Sequence, residues 1–233
     1  MSNVQIHPFN TQPPETPFAP YWNYVIACKK TDIDAEEFAK LILIKEKEIK
    51  EEYPTGSYQY SNYSDGSTGL GSNSLTSRYS FFNVLKWDHP ICKELHDNIR
   101  TFHNEYLYGT IGQTKFPEKL LKIRCWANVM RKGEKIKRHC HATHPFTYLS
   151  GHFTVKCDNT STNYFNVYTD ESYPIKNAPS QMTLFPTWIP HSTDRQKEDT
   201  ERITIAFDIV CDDRKQFEIG HGKDPDLDNL VPL

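Results

Sequence analysis

Apolar positions change period along the chain. Phe38, Leu41, Ile42 and Ile49 recur at helical spacing among lysines and glutamates, which predicts an amphipathic helix starting near Ala35. Thr31 or Asp32 is placed to cap it, with Glu36 and Glu37 favourable in its first turn. A second helix is predicted from Pro90 to about Tyr108, its apolar face carrying Ile91, Leu95, Ile99, Phe102 and Tyr106. His96 and His103 are expected on that helix's surface. After Gly112 the pattern shortens to that of strands, over 120–130, 148–156, 164–168, 181–185 and 202–211. Upstream, 21–28 alternates as a first strand. Residues 1–20 read as an extended arm, because Pro13, Pro14, Pro17 and Pro20 disfavour helix and central strand alike.

Helices first and antiparallel strands afterwards imply an α+β chain with a jelly-roll-type barrel and N-terminal helices packed against it. At 233 residues we expect one domain. Its parts are an arm (1–20), a helical and loop elaboration (21–118), the barrel (119–212) and a tail (213–233). The stretch 54–80, rich in Gly, Ser, Tyr and Asn, has no clear period. A segment of that length and composition is expected to fold over the mouth of a site as a lid or substrate platform.

Composition narrows the function classes. A formal charge of −3 and a pI near 6.4 give no global basic field, so nucleic acid is not indicated as a partner. Arg131, Lys132, Lys135, Lys137 and Arg138 cluster, and read as a solvated loop before a strand. No run of eighteen apolar residues exists and the first twenty residues lack the features of a secretory leader, so no membrane role is expected. The six cysteines are scattered without a CxxC pair, which fits a reduced, cytoplasmic protein.

The candidate chemistry lies between His139 and Arg202. His139 and His141 are two apart, so on a strand both imidazoles face one way and can share a metal such as iron, copper, nickel or zinc. Cys140 faces the other way and reads as packing. Fifty residues on, the apolar run ending in Phe185 and Pro186 is followed by Trp188, Pro190 and His191. Arg202 then opens a strand on which Ile203, Ile205, Phe207 and Ile209 line one face while Arg202, Thr204 and Ala206 line the other. An arginine buried there needs an anion, and a guanidinium fork suits a carboxylate.

Taken in order, Trp126-Ala127-Asn128, Gly133, His139-Cys140-His141, Ser150-Gly151, Phe185-Pro186-Thr187-Trp188, His191 and Arg202-Ile203-Thr204 resemble the pattern of phage and bacterial 2-oxoglutarate- and Fe(II)-dependent oxygenases, over roughly residues 124–211. The resemblance implies a double-stranded β-helix, with Fe(II), 2-oxoglutarate as cosubstrate and O₂. It makes His139 and His191 metal ligands, and Arg202 the clamp on the far carboxylate with Thr204 assisting. Asn128 is placed to donate to the cosubstrate or to make a structural hydrogen bond, and Tyr148 to point inward beside it or to pack in the core. The chain departs from the usual two-histidine, one-carboxylate triad, since His141 stands at the carboxylate position. His141 as third ligand is favoured; a water-completed site and a distant carboxylate such as Asp158 stay open. So does His144, which counting back from Ser150-Gly151 selects.

Hydroxylation of a protein or peptide side chain or of a small molecule is the expected reaction. The long Tyr/Ser/Gly-rich loop favours a peptide, and charge and motif do not separate the classes. Two rivals are a three-histidine cupin-type dioxygenase that does not use 2-oxoglutarate, and a non-catalytic ligand-binding β-barrel.

Overall fold

A computed structural model describes residues 3–10, 15–18, 23–55, 65, 67–112, 121–141, 148–167, 171–211 and 229–233. The first helix, α1, spans Ala35–Glu52 and the second, α2, Pro90–Ile111. Asp34 rather than Thr31 or Asp32 caps α1: its carboxylate accepts from the amides of Glu36 and Glu37, both at 3.0 Å. Thr31 is instead drawn to the carbonyl of Ser180, which its hydroxyl reaches at 3.1 Å. His89 caps α2 through Nδ1, and Gly112 ends it at φ 66°, a left-handed conformation that suits glycine.

Ten strands are described: β1 Val4–Asn10, β2 Asn23–Lys30, β3 Leu121–Met130, β4 Leu149–Lys156, β5 Ser161–Phe165, β6 Ser172–Lys176, β7 Gln181–Pro186, β8 His191–Thr193, β9 Arg202–Cys211 and β10 Val231–Pro232. They form a seven-stranded sheet, β1-β2-β7-β4-β9-β3-β10, and a three-stranded sheet, β6-β5-β8. An isolated antiparallel bridge between His139 and His191 adds the segment before β4 to the smaller sheet's edge. From β3 onward the chain therefore winds between the sheets: β3 to the large one, His139 to the small, β4 to the large, β5 and β6 to the small, β7 to the large, β8 to the small, β9 to the large. That alternation is the double-stranded β-helix.

Four differences from the sequence reading have physical reasons. The arm contains β1, an edge strand, where Pro8 needs no ladder partner for its missing N–H. β6 likewise carries Pro174 at the edge of the small sheet. β8, of three residues, is too short to show a period. His103 is buried, 1 % exposed, and its Nε2 lies 2.6 Å from the Tyr148 hydroxyl. β1 and β2 belong to the same sheet as the barrel strands.

The two faces of the large sheet are used differently. One packs against the helices: Ile123, Cys125 and Ala127 of β3, Phe153 and Val155 of β4, and Ile203, Ile205, Phe207 and Ile209 of β9 join Phe38, Ile42, Leu95, Ile99 and Phe102 in one core. The other face looks at the small sheet. Toward β2 and β7 it is apolar, with Ile26, Phe185, Ile189 and Tyr164 in contact. Toward β4, β9 and β3 it is polar, carrying Ser150, His152 and Thr154, then Arg202, Thr204 and Asp208, then Asn128. Gly151 allows this arrangement, since a Cβ there would collide with the Phe207 ring and the Thr183 carbonyl.

Candidate metal centre and anion pocket

The bridge at the edge of the small sheet also places the histidines. His139 N donates to the His191 carbonyl at 3.0 Å and His191 N to the His139 carbonyl at 2.8 Å. The pairing continues where Thr193 N meets the Ile136 carbonyl at 3.1 Å. His141 N donates to the Thr187 carbonyl at 3.2 Å, so three residues from distant parts of the sequence are held by main-chain bonds. Ring centroids are 4.5 Å apart for His139–His191, 5.1 Å for His141–His191 and 5.3 Å for His139–His141. One potential ligand atom from each lies within 4.8 Å of the others.

Each ring is fixed through Nδ1. His139 Nδ1 lies 2.8 Å from the Lys137 carbonyl, His191 Nδ1 3.0 Å from the Ile189 carbonyl, and His141 Nδ1 2.5 Å from Asp208 Oδ1. Acceptors at all three Nδ1 positions put the ring protons there and the lone pairs on Nε2, the arrangement that a metal-binding imidazole needs. Burial, then the nearby His141, pushes His139 down to about 4. Burial, then His139 and His141, holds His191 well below its ordinary value. Both rings are neutral donors at pH 7.

Asp208 completes this cluster and is the residue the sequence reading left out. It is 7 % exposed, and its Oδ1 also accepts from Ser150 Oγ at 2.5 Å. Arg124 lies 3.8 Å from its other oxygen. Burial by itself would raise the Asp208 pKa; the His141 charge and hydrogen bond, with Arg124 and Ser150, outweigh it and the net shift is downward. The signal was present, since Asp208 is the next inward position of β9 after Arg202, Thr204 and Ala206.

Arg202 is 1 % exposed. Its Nε donates to Thr160 Oγ1 at 3.1 Å and its NH1 lies 4.0 Å from the Met130 sulfur. Among the described residues no carboxylate lies within ion-pair distance of it. Burial pushes its pKa down to about 10. A guanidinium this deep without a counter-ion is costly, and it lines the same cavity as the three histidines. That cavity is open at its mouth, and Asn128, Thr204, Trp126 and Phe185 also line it.

No protein-family profile matches the chain, and no curated protein matches its sequence. Solved structures do match. AviO1 from Streptomyces viridochromogenes Tue57 aligns over 81 % of this chain and 90 % of its own, with TM-score 0.50 and 12 % identity. A prolyl-4-hydroxylase from Pseudomonas putida aligns over 54 % of this chain and 68 % of its own, with TM-score 0.43 and 10 % identity. An oxidoreductase of the 2OG-Fe(II) oxygenase family from Burkholderia pseudomallei aligns over 53 % and 60 %, with TM-score 0.42 and 14 % identity. AviO1, the longest of these alignments, shares the fold of this chain. At such identities the likeness is one of fold, and the site is argued from its own residues.

Within this double-stranded β-helix, His139, His141, His191, Arg202, Thr204 and Asn128 come together around the cavity. Tyr148 does not: its hydroxyl meets His103 of α2, on the helix side of β4. Asp158 is no ligand either, as it accepts from Gln196 Nε2 at 3.5 Å and from the Thr200 hydroxyl in the turn before β9. His144 lies outside the described residues. Asn128 is tied by its Oδ1 to Thr76 Oγ1 at 2.7 Å. Thr76 belongs to the Gly/Ser-rich segment, and Asp65, Thr68, Thr76 and Tyr79 from it form one wall of the cavity. Arg78 holds that wall together, donating to the carbonyls of Tyr53, Ser72 and Ser74 at 2.9, 2.9 and 2.7 Å. Residues 56–64 and 66 of the segment lie outside the described residues. Among the described residues no helix is long and apolar enough to cross a membrane.

Proposed function

We propose that the protein is a 2-oxoglutarate-dependent non-haem Fe(II) dioxygenase that hydroxylates a peptide side chain or a small molecule. The observation that carries this reading is Arg202: a buried cation without a carboxylate partner among the described residues, in the same cavity as three convergent imidazoles. A dicarboxylate that reaches from the metal to that guanidinium neutralises both ends of the cavity.

The residues fit the metal in donor chemistry. Three imidazoles, each tied through Nδ1, would hold it through Nε2, and the negative charge that a carboxylate ligand brings in the usual triad reaches His141 indirectly, through Asp208. When bound, Fe(II) supplies O₂ activation, coupled to conversion of 2-oxoglutarate to succinate and CO₂. The protein's own part is positioning. Arg202 and Thr204 hold the far carboxylate, and Trp126 (5.5 Å from His141 between ring centroids) and Phe185 (4.9 Å from His191) keep water from the open positions. The wall formed by 67–79 borders the mouth and is the surface on which we place the substrate; a peptide is the class favoured, since a loop edge suits an extended chain.

The test is anaerobic Fe(II) loading, addition of 2-oxoglutarate and O₂, and measurement of succinate. Succinate should require both Fe(II) and 2-oxoglutarate. Arg202→Ala should raise the 2-oxoglutarate concentration for half-maximal turnover at least about tenfold, from the loss of a charge-assisted bond, with unchanged metal content. A second reading has one observation in its favour. His141 at the carboxylate position suits a three-histidine dioxygenase without 2-oxoglutarate, and O₂ uptake on substrate with no succinate would decide for it.

A further inference from the structure

Between the metal end and the Arg202 end of the cavity stands a buried histidine to which no role has yet fallen. His152 is on β4, 8 % exposed, and lines the same cavity. The β4–β9 register pairs Ser150 with Asp208, His152 with Ala206 and Thr154 with Thr204. Successive pairs on this inward face are about 7 Å apart. The ladder thus runs from the carboxylate that supports His141, past His152, to the threonine beside Arg202. Ala206 puts no bulk beside the imidazole on the neighbouring strand.

His152 uses half of its hydrogen-bonding capacity. Its Nε2 lies 3.2 Å from the hydroxyl of Tyr164, which is fully buried and has no other hydrogen-bond partner among the described residues. The tyrosine proton therefore goes to Nε2, and the ring proton sits on Nδ1. Burial, then the charge of Arg202, pushes the His152 pKa to about 3, so the ring is neutral and has that one proton to give. Yet Nδ1 is buried without a partner, and so is Thr154 Oγ1, the next inward position on β4. A buried ring N–H without a partner, on a residue that lines a cavity, is uncommon in a native fold unless a ligand completes it.

The geometry points to His152 as a specificity-determining residue for the cosubstrate: its Nδ1–H donates to the carboxylate whose charge Arg202 balances. This rests on the 2-oxoglutarate reading and refines it. A ring donor besides the guanidinium singles out a 2-oxo acid with a second carboxylate, and a monocarboxylic 2-oxo acid of the same length leaves that buried donor unmatched.

The experiment is calorimetric titration of 2-oxoglutarate and of 2-oxopentanoate into the Mn(II)-loaded full chain, for wild type, His152→Leu and His152→Gln. His152→Leu should weaken 2-oxoglutarate about tenfold or more, as expected for a lost hydrogen bond to a charged acceptor, and leave 2-oxopentanoate unchanged. His152→Gln, which keeps an N–H donor, should recover most of the affinity. Equal Mn(II) affinity in all three shows that the site is still folded. Should His152→Leu fail to load Mn(II), Tyr164→Phe decides, because it releases the tautomer and should weaken 2-oxoglutarate alone. Wild-type affinity for 2-oxoglutarate in the deciding variant, or equal loss of both oxo acids, overturns the inference and leaves the 2-oxoglutarate reading standing. A wild type that binds neither acid overturns both.

Discussion

Replacing Asp208 by Asn tests whether the three histidines form a metal site or only a packed cluster. The carboxylate is 7 % exposed and sits 2.5 Å from both His141 Nδ1 and Ser150 Oγ. Asn is nearly isosteric and keeps one oxygen, so His141 retains an acceptor and the volume is unchanged. What is lost is the negative charge that makes His141 the more basic donor. A hydrogen bond to a charged group contributes about 1.5–3 kcal/mol, against about 1 kcal/mol for a neutral one, so the substitution removes about 0.5–2 kcal/mol from metal binding. At about 1.4 kcal/mol per factor of ten, the metal dissociation constant rises roughly 2–30-fold. That falls near the range seen when partners behind a metal-binding histidine are changed. The assay is competition for Fe(II) or Zn(II) against a chelator of known affinity, followed optically. Thermal melts of the metal-free proteins serve as the control, since loss of a paired, depressed carboxylate also lowers stability at neutral pH. If Asp208→Asn binds metal as tightly as wild type while melting as a folded protein, the carboxylate is structural and the metal site as drawn is refuted.

Three further outcomes are expected. Gly151→Ala should cost about 2–3 kcal/mol, or roughly 5–10 °C in Tm, because the new methyl meets a buried ring and a backbone carbonyl that cannot yield; an unchanged Tm refutes the packing described for β4. Glu46, 5 % exposed, accepts from Arg131 at 2.8 and 3.1 Å and from Lys50 at 2.8 Å, and these partners outweigh burial to hold its pKa below the ordinary 4.5. Its contribution is therefore present above that value and lost as the pH falls through the folded pKa, so Glu46→Gln should melt below wild type at pH 7 and converge with it toward pH 3. Thr76→Val removes the hydroxyl that meets Asn128 Oδ1, both residues being buried. Amide exchange over 72–79 should speed up by a factor set by about 1–3 kcal/mol of local stability, with metal affinity unaffected; equal exchange would mean that the wall is held elsewhere.

How far the site was legible depended on whether its partners are side chains on regular strands. β9 is paired along its length with β3 and β4, so its alternation is unbroken and both faces could be read from Arg202 to Ile209. Asp208 belongs to that series by the same rule. His139 and His141 were legible as a pair, though not as a strand: only His139 bridges, and the two rings come to face alike at 21° because His141 N is pulled to Thr187. Tyr148 was left between cavity and core because residues 142–147 separate it from His141, and no pattern in that stretch says which face β4 enters on. The wall around Thr76 was out of reach for another reason. Arg78, 1 % exposed, binds main-chain carbonyls of Tyr53, Ser72 and Ser74, and such partners leave no trace in residue type.

The same distinction explains why the cavity is polar on one side only. Every residue to which we assign a metal or cosubstrate role hangs from β3, β4, β8, β9 or the segment at His139 and His141, and there the space between the sheets is lined by polar side chains rather than by an apolar filling. Between β2, β7 and the small sheet, the filling is Ile26, Phe185, Ile189 and Tyr164, and no polar ligand fits. A fold that winds between two sheets must close one end with apolar contacts. The other end can then hold the buried charges of Arg202 and Asp208 apart, and the space between those opposite charges is where we place a ligand with a metal-binding head and an anionic tail.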